Sequence, residues 1–272
     1  MVDVGAAETE LRDVAVAVAT EAAELARHAR DAMVAGEPVR VETKTTDTDV
    51  VTAVDRAVEQ LVRDRLAGLR PGDHVLGEES GGSSGDGITW VVDPIDGTVN
   101  FLYGAPSFAV SLAAQVDGES VAGAVVEPVS GRCWTAVRGE GAWLDGRRLS
   151  VSAPSRLELS LVGTGFAYST QRRARQARFV GELVTRVRDV RRAGVASLDL
   201  CAVAAGWLDG YVEHGLHRWD WAAGALIAAE AGAVVHLPGS DAALGGDATL
   251  AAAPSIAEAL YAAAVECGAK NV

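Results

Sequence analysis

Hydrophobic positions recur at spacings of three and four between Thr9 and Ala35, where Leu11, Val14, Val18, Ala22, Leu25 and Ala29 share one face. That period predicts a long amphipathic helix. A polar run, E-T-K-T-T-D-T-D, follows from Glu42. A second helix is predicted from Thr48 or Asp49 to Leu69, with Val51, Val54, Val58, Leu61, Val62 and Leu66 on its apolar side. R-P-G-D at Arg70 to Asp73 ends it in a turn.

The period then changes. H-V-L-G-E-E reads as a short strand ending in Glu78 and Glu79, and Gly81 to Gly87 reads as a mobile surface loop. I-T-W-V-V-D is a strand. Two strand-like runs joined by Asp117-Gly118 form the clearest hairpin, and a second Asp-Gly at Asp145-Gly146 continues the antiparallel pattern. The second half alternates. L-S-L-V-G-T-G-F suggests a strand, Thr170 to Arg188 a basic surface helix, and D-V-R-R-A-G a strand or the approach to one. A buried helix ends at Gly206, D-G-Y-V-E-H-G is a short strand, and an apolar helix opening at W-D-W ends at Gly232. A-V-V-H-L and A-T-L-A-A-A are strands, and Ser255 caps a last helix. With no repeat and no long linker, residues 1–272 read as one compact domain. An N-terminal half to about residue 150 packs on a C-terminal half from about 151. The class is α/β or α+β with a large antiparallel hairpin sheet.

Composition narrows the function. The 272 residues carry 24 basic and 37 acidic side chains, a net charge of −13, which argues against a broad nucleic-acid footprint. An anionic substrate stays open if a bound cation inverts the local field. Cys133, Cys201 and Cys267 are odd in number and far apart, which fits a reducing cytoplasm better than a disulfide framework or structural zinc. The first residues lack a signal-peptide pattern, and no apolar run is long enough to span a membrane.

Acids close apolar elements at several places. Glu78 and Glu79 follow H-V-L-G. Asp93 and Asp96 follow I-T-W-V-V, Asp220 opens the W-D-W helix, and Asp55 lies on or beside a helix face. Taken singly, each is a helix cap or a solvated turn. Taken together they are a hard-oxygen set suited to Mg²⁺, Mn²⁺ or Ca²⁺. Pro94 removes an N–H and would help aim the Ile95 carbonyl inward. Gly97 and Thr98 open a short helical turn whose amides suit an anion. Cations beside amides that bind an anion are what metal-assisted phosphate chemistry needs. The other candidates read as structural: His214 and His217 as surface or packing residues, Cys201 as core, and Arg172, Arg173, Arg175 and Arg178 as a solvated basic face.

At these residues the chain resembles the inositol monophosphatase family of magnesium-dependent, lithium-sensitive phosphatases, with the look of its actinobacterial inositol-1-monophosphatase branch. G-E-E-S at Gly77 to Ser80, W-V-V-D-P-I-D-G-T-V-N-F at Trp90 to Phe101 and W-D-W-A-A-G-A-L-I-A-A-E-A-G at Trp219 to Gly232 carry the resemblance. Lys44 to Asp55 and Arg191 to Gly215 extend it to nearly the whole chain. It implies a layered α-β-α-β-α sandwich and a homodimer. It also implies that Glu78, Asp93 and the Ile95 carbonyl hold one Mg²⁺, that Asp93, Asp96 and Asp220 hold a second, and that Glu78 touches a weaker third. Thr98, with Asp55 behind it and Glu78 helping, would activate the attacking water. The amides of Gly97 and Thr98 would hold phosphate. Asp96, Glu213 and the segment Gly194, Val195 and Ala196 would face a phosphorylated polyol. Lys44 would temper the negative field. Val195 stands where relatives often carry Ser or Thr, and Trp221 where small or aliphatic residues are common.

The reading that follows is a Mg²⁺-dependent phosphomonoesterase for myo-inositol 1-phosphate. Its rivals are the same chemistry on histidinol phosphate, fructose 1,6-bisphosphate or a 3′-phosphonucleotide, and a regulatory protein that binds RNA or the transcription machinery.

Overall fold

The computed structural model describes residues 4–38, 41–43 and 50–272. Among them run seven α-helices: α1 Val4–Val34, α2 Ala53–Leu69, α3 Thr98–Leu102, α4 Thr170–Leu183, α5 Ala196–Ala204, α6 Arg218–Glu230 and α7 Ala257–Glu266. Two large sheets separate them. The eight-stranded sheet runs, in spatial order, Arg147–Arg148, Gly141–Leu144, Cys133–Val137, Glu119–Val126, Ala109–Val116, Ile88–Asp96, His74–Gly77 and Gly81–Gly82. The five-stranded sheet runs Asp189–Arg191, Leu161–Gly163, Gly210–His214, Ala248–Ala252 and Val234–His236. Val41–Thr43 pairs with Val50–Thr52 as a small ribbon.

The layers follow from side-chain alternation along buried strands. Trp90 and Val92 point to one face of the large sheet and pack with Leu11, Val18, Ala22, Val58, Val62 and Leu66 of α1 and α2. Val91, Ala109 and Ala113 point to the other face and pack with Cys201, Ala223 and Ile227 of α5 and α6. The far side of α5 and α6 meets Tyr211 and Ala251 of the smaller sheet. Val212, Leu250 and Ala252 face outward under Phe179 and Leu183 of α4 and Leu260 of α7. The order is helix, sheet, helix, sheet, helix, as the resemblance implies. Continuous apolar runs such as A-V-S-L-A-A are strands buried on both faces.

Both Asp-Gly turns take the left-handed conformation that a tight hairpin needs: φ is 52° and 85° at Asp117-Gly118, and 49° and 77° at Asp145-Gly146.

Several boundaries differ from the sequence reading. The second helix begins at Ala53, because the Thr52 hydroxyl accepts the Val54 and Asp55 amides and stops the chain there; Thr48 and Asp49 lie outside the described residues, as does Lys44. Val51 accordingly belongs to a strand. The basic helix ends at Leu183 rather than Arg188. The last helix has Ile256 at its cap, with no side-chain bond, so Ser255 does not cap it. Gly81 and Gly82, expected in a loop, pair antiparallel with Gly77 and Leu76 at the sheet edge. The Arg172 side chain binds Asp247, and Arg173 and Arg175 bind backbone carbonyls, so much of the basic face is anchored rather than merely solvated.

Candidate active site

In a regular strand, positions three apart point to opposite faces. Asp93 and Asp96 are three apart, yet both turn toward α5 and α6. The register explains it: Asp93 pairs with Ser111 and Asp96 with Ala109, so one strand spends one residue more than its neighbour. This bulge restores the parity. Pro94 sits inside it, where a missing N–H costs nothing. The Asp93 carboxylate accepts the Ile95 amide at 3.1 Å, which fixes the bend.

The carboxylates then find helix starts. Asp96 Oδ2 accepts the Ser197 amide in the first turn of α5 at 2.7 Å. Asp220 Oδ2 accepts the His217 amide at 2.6 Å, just before α6. Both bonds place a negative group at the positive end of a helix. His217 is the cap residue and Asp220 sits inside the first turn.

Behind them lies a hydrogen-bonded pair, Thr98 and Asp55. The Thr98 hydroxyl is 3.1 Å from Asp55 Oδ1 and 3.1 Å from the Ile95 carbonyl, and its single proton serves one of them at a time. Asp55 Oδ2 accepts the Thr52 amide at 2.8 Å and also the Thr52 hydroxyl. Asp55 and Thr98 are both buried.

Glu78 is presented by a turn built around Glu59. The Glu59 carboxylate accepts the amides of Glu79 at 2.7 Å and Ser80 at 3.0 Å, and pairs with Arg63 at 2.9 Å. Gly77 leaves the space: a Cβ there would collide with the Glu59 carboxylate. On the other wall, Gly97 has φ of 94°, and a Cβ on it would stand 2.9 Å from Val195 Cγ2. Gly97 thus meets Gly194 and Val195, and Ala196 opens α5 beside Asp96.

The electrostatics are one-sided. Burial pushes the Asp93 carboxyl well above its usual range, and the charges of Glu78, Asp96 and Asp220 push it further. Asp220 is raised well by burial and by Asp96. Asp96 rises to about 6 through burial, against hydrogen bonding from Ser197 and Ala196. Burial likewise raises Asp55, against its bonds from Thr52 and Thr98. Glu213 rises to about 7, chiefly by burial, with the Tyr211 hydroxyl opposing.

Among the described residues, the charged groups that act most on Asp93 are acids, so a bound cation is the natural counter-charge. The donor set is oxygen only and fits a hard divalent ion. Among the described residues no three His, Cys, Asp or Glu side chains close into a ready cage.

The residues singled out in the sequence thus gather at one corner: Glu78, Asp93, Ile95, Asp96, Gly97, Thr98, Asp55 and Asp220, with Gly194, Val195 and Ala196 against Gly97. Glu213 acts electrostatically on Asp220, and Asp96 on Glu213, which puts it on the same rim. Residues 7–269 match the family model of the inositol monophosphatases. The chain belongs to the inositol monophosphatase family. It is 54% identical over 271 residues, 93% of each chain, to the inositol-1-monophosphatase of Mycobacterium leprae. The solved structure of Mycobacterium tuberculosis SuhB superposes with a TM-score of 0.81 at 45% identity, covering 97% of this chain and 98% of that one. The Nus factor SuhB of Pseudomonas aeruginosa is 45% identical over 194 residues, 69% of this chain and 72% of its own.

Within this family frame, the two departures have plain places. Val195 is buried at the start of α5 and packs with the core between α5 and the large sheet, with no cap bond from its side chain. Trp221 packs against apolar clusters on both sides of α6. His214 is buried, bonds the Leu244 carbonyl through Nε2 at 2.9 Å and stacks edge-on with Phe179, a packing role. Cys201 is core.

Sequence reasoning missed Glu59, Tyr211 and Asp199. Glu59 had a readable signal: Asp55, Glu59, Val62 and Leu66 recur at helical spacing and are all buried. Tyr211 and Asp199 had none.

Proposed function

We propose that the protein is a Mg²⁺-dependent phosphomonoesterase that hydrolyses myo-inositol 1-phosphate to myo-inositol and phosphate. The observation that carries this is the bulge that turns Asp93 and Asp96 to one face beside the Thr98–Asp55 pair. Glu78, Asp93, Asp96, Asp220 and the Ile95 carbonyl are the oxygen donors for the ions. Bound there, Mg²⁺ supplies positive charge for the phosphate and lowers the pKa of water. The chain does the rest. Asp55 takes the Thr98 proton, which frees the Thr98 oxygen to receive a proton from the attacking water. The amides of Gly97 and Thr98 face the phosphate oxygens. Asp96, Glu213 and the Ala196 backbone orient the alcohol through its hydroxyls. Gly194 and Val195 shape that wall.

The names carried by the mycobacterial relatives favour inositol 1-phosphate over the other small phosphates. A substrate panel tests this: inositol 1-phosphate, histidinol phosphate, fructose 1,6-bisphosphate and a 3′-phosphonucleotide. Preference for another member would move the substrate and keep the chemistry.

The Nus-factor relative favours a second reading, a role beside the transcription machinery. The −13 charge weighs against direct RNA contact, and a full donor set is more than a binding module needs. RNA retention that falls steeply with salt supports it; none at low salt removes it.

Two further features, lithium inhibition and a homodimer, rest on the family resemblance, and a single catalytic domain rests on the lack of a repeat or long linker. Unpaired cysteines and the lack of any helix, among the described residues, able to cross a membrane fit a cytoplasmic enzyme. Light scattering checks the dimer.

A further inference from the structure

Tyr211 and Glu213 lie two apart on strand Gly210–His214, so both side chains point to the same face. The Tyr211 hydroxyl donates to Glu213 Oε2 at 2.5 Å. The ring is fully buried among Leu200 and Val203 of α5, Ala225 and Ala228 of α6, and Ala251 of the next strand. It has no room to swing, so its hydroxyl is a fixed point. The neighbouring strand is cut to fit. Gly163 pairs with Tyr211, and a Cβ there would stand 3.1 Å from Tyr211 Cδ2. Gly165, two residues on, lies beside Glu213, and a Cβ there would collide with its carboxylate. Between them the Thr164 hydroxyl donates to the Val212 carbonyl at 2.8 Å and locks the two strands in register.

We propose that Tyr211 is the positioning residue for Glu213: it holds the carboxylate in one orientation, commits one oxygen to the protein and leaves the other for the substrate's hydroxyls. This rests on the reading that Glu213 faces the polyol. The charged groups around Glu213 would not hold it there by themselves. Asp96 on the large sheet repels it, Arg192 attracts it from before α5 but is exposed, and Asp199 on α5 and Asp220 on α6, raised by burial, add no attraction. A carboxylate among repelling charges swings away unless a short bond holds it. The tyrosine therefore acts on substrate selection, through Glu213, and touches neither phosphate nor water.

The test compares inositol 1-phosphate with p-nitrophenyl phosphate, which has no hydroxyls to orient, in Tyr211→Phe, Glu213→Gln and the double variant. Phe keeps the ring and its packing. The expected result for Tyr211→Phe is about a tenfold rise in KM for inositol 1-phosphate. kcat should hold, and both constants for p-nitrophenyl phosphate should stay as in the parent. In the Glu213→Gln background the second change should add little, because the two act through one contact. If Glu213→Gln shifts the preference and Tyr211→Phe does not, the positioning role is wrong and the Glu213 reading stands. If Glu213→Gln leaves the preference unchanged, the reading itself fails and takes the inference with it. An equal loss on both substrates with a lower melting temperature in Tyr211→Phe would make the tyrosine structural only and overturn the proposal.

Discussion

The Asp96 carboxylate accepts the Ser197 amide at 2.7 Å across 101 positions of sequence, and so joins the end of the central strand to the start of α5. One side chain thereby aligns the two walls of the site. The arrangement also carries a cost, since Asp96 is buried among acids and pushed up to about 6. Asp96→Asn keeps an oxygen for the Ser197 amide and removes the charge. The expected outcome is a fall in kcat/KM of at least about a hundredfold. The melting temperature of the metal-free protein should be equal or higher, because sites of function carry strain that stability alone would remove. Steady-state kinetics and calorimetry on the same sample check both halves.

Thr98 reaches Asp55 with its hydroxyl and needs nothing from its methyl group for that. Thr98→Ala should lower kcat by about 10²- to 10³-fold, in the range of a lost acid–base group. Thr98→Ser should recover most of it. Alanine and serine variants of equal activity would remove the relay.

Glu59 touches no substrate in this account, yet it holds the turn that presents Glu78. Glu59→Ala leaves the Glu79 and Ser80 amides and the Arg63 Nε without their acceptor. The expected cost is about 3 kcal/mol of stability or more. The Mg²⁺ concentration for half-maximal activity should rise as well. Urea unfolding and a magnesium titration read the two effects separately.

Much of this was legible in the chain. Apolar periodicity gave α1, α2 and α6, and Asp-Gly marked both hairpins. The D-P-I-D-G-T run marked the site, and the described residues of the candidate set, which leave out Lys44, lie at the corner or on its rim. The missing parts share a cause. Parity at the Asp93–Asp96 bulge depends on what the neighbouring strand does, which a single segment does not encode. Tyr211 resembles any strand aromatic until its hydroxyl is seen on Glu213. Asp199 falls on an apolar helix at a position that looks like a solvated gap. Partners far apart in sequence leave no local pattern, and Glu59 escaped because a buried acid breaks the rule by which buried positions are read.

Asp199 gives a pH dependence with a definite sign. Burial, then the charges of Glu213 and Asp96, push its carboxyl from an ordinary 3.8 up to about 8. The folded protein keeps this proton where the unfolded chain has released it. The stability tied to the protonated form is whole below the unfolded value and is lost as pH rises through the folded one. Asp199→Asn removes the ionisation. Its melting temperature should gain on the parent progressively from pH 5 to pH 9. A difference that stays constant across that range would contradict the assignment.

The most direct measurement is phosphate release from inositol 1-phosphate with Mg²⁺ and after chelation, in the parent and in Asp93→Asn. Release should need Mg²⁺, return when it is added back, and fall by at least about a hundredfold in the variant while the fold persists. Release that is indifferent to chelation, or an Asp93→Asn variant as active as its parent, would mean that the carboxylates of this corner do not carry the reaction.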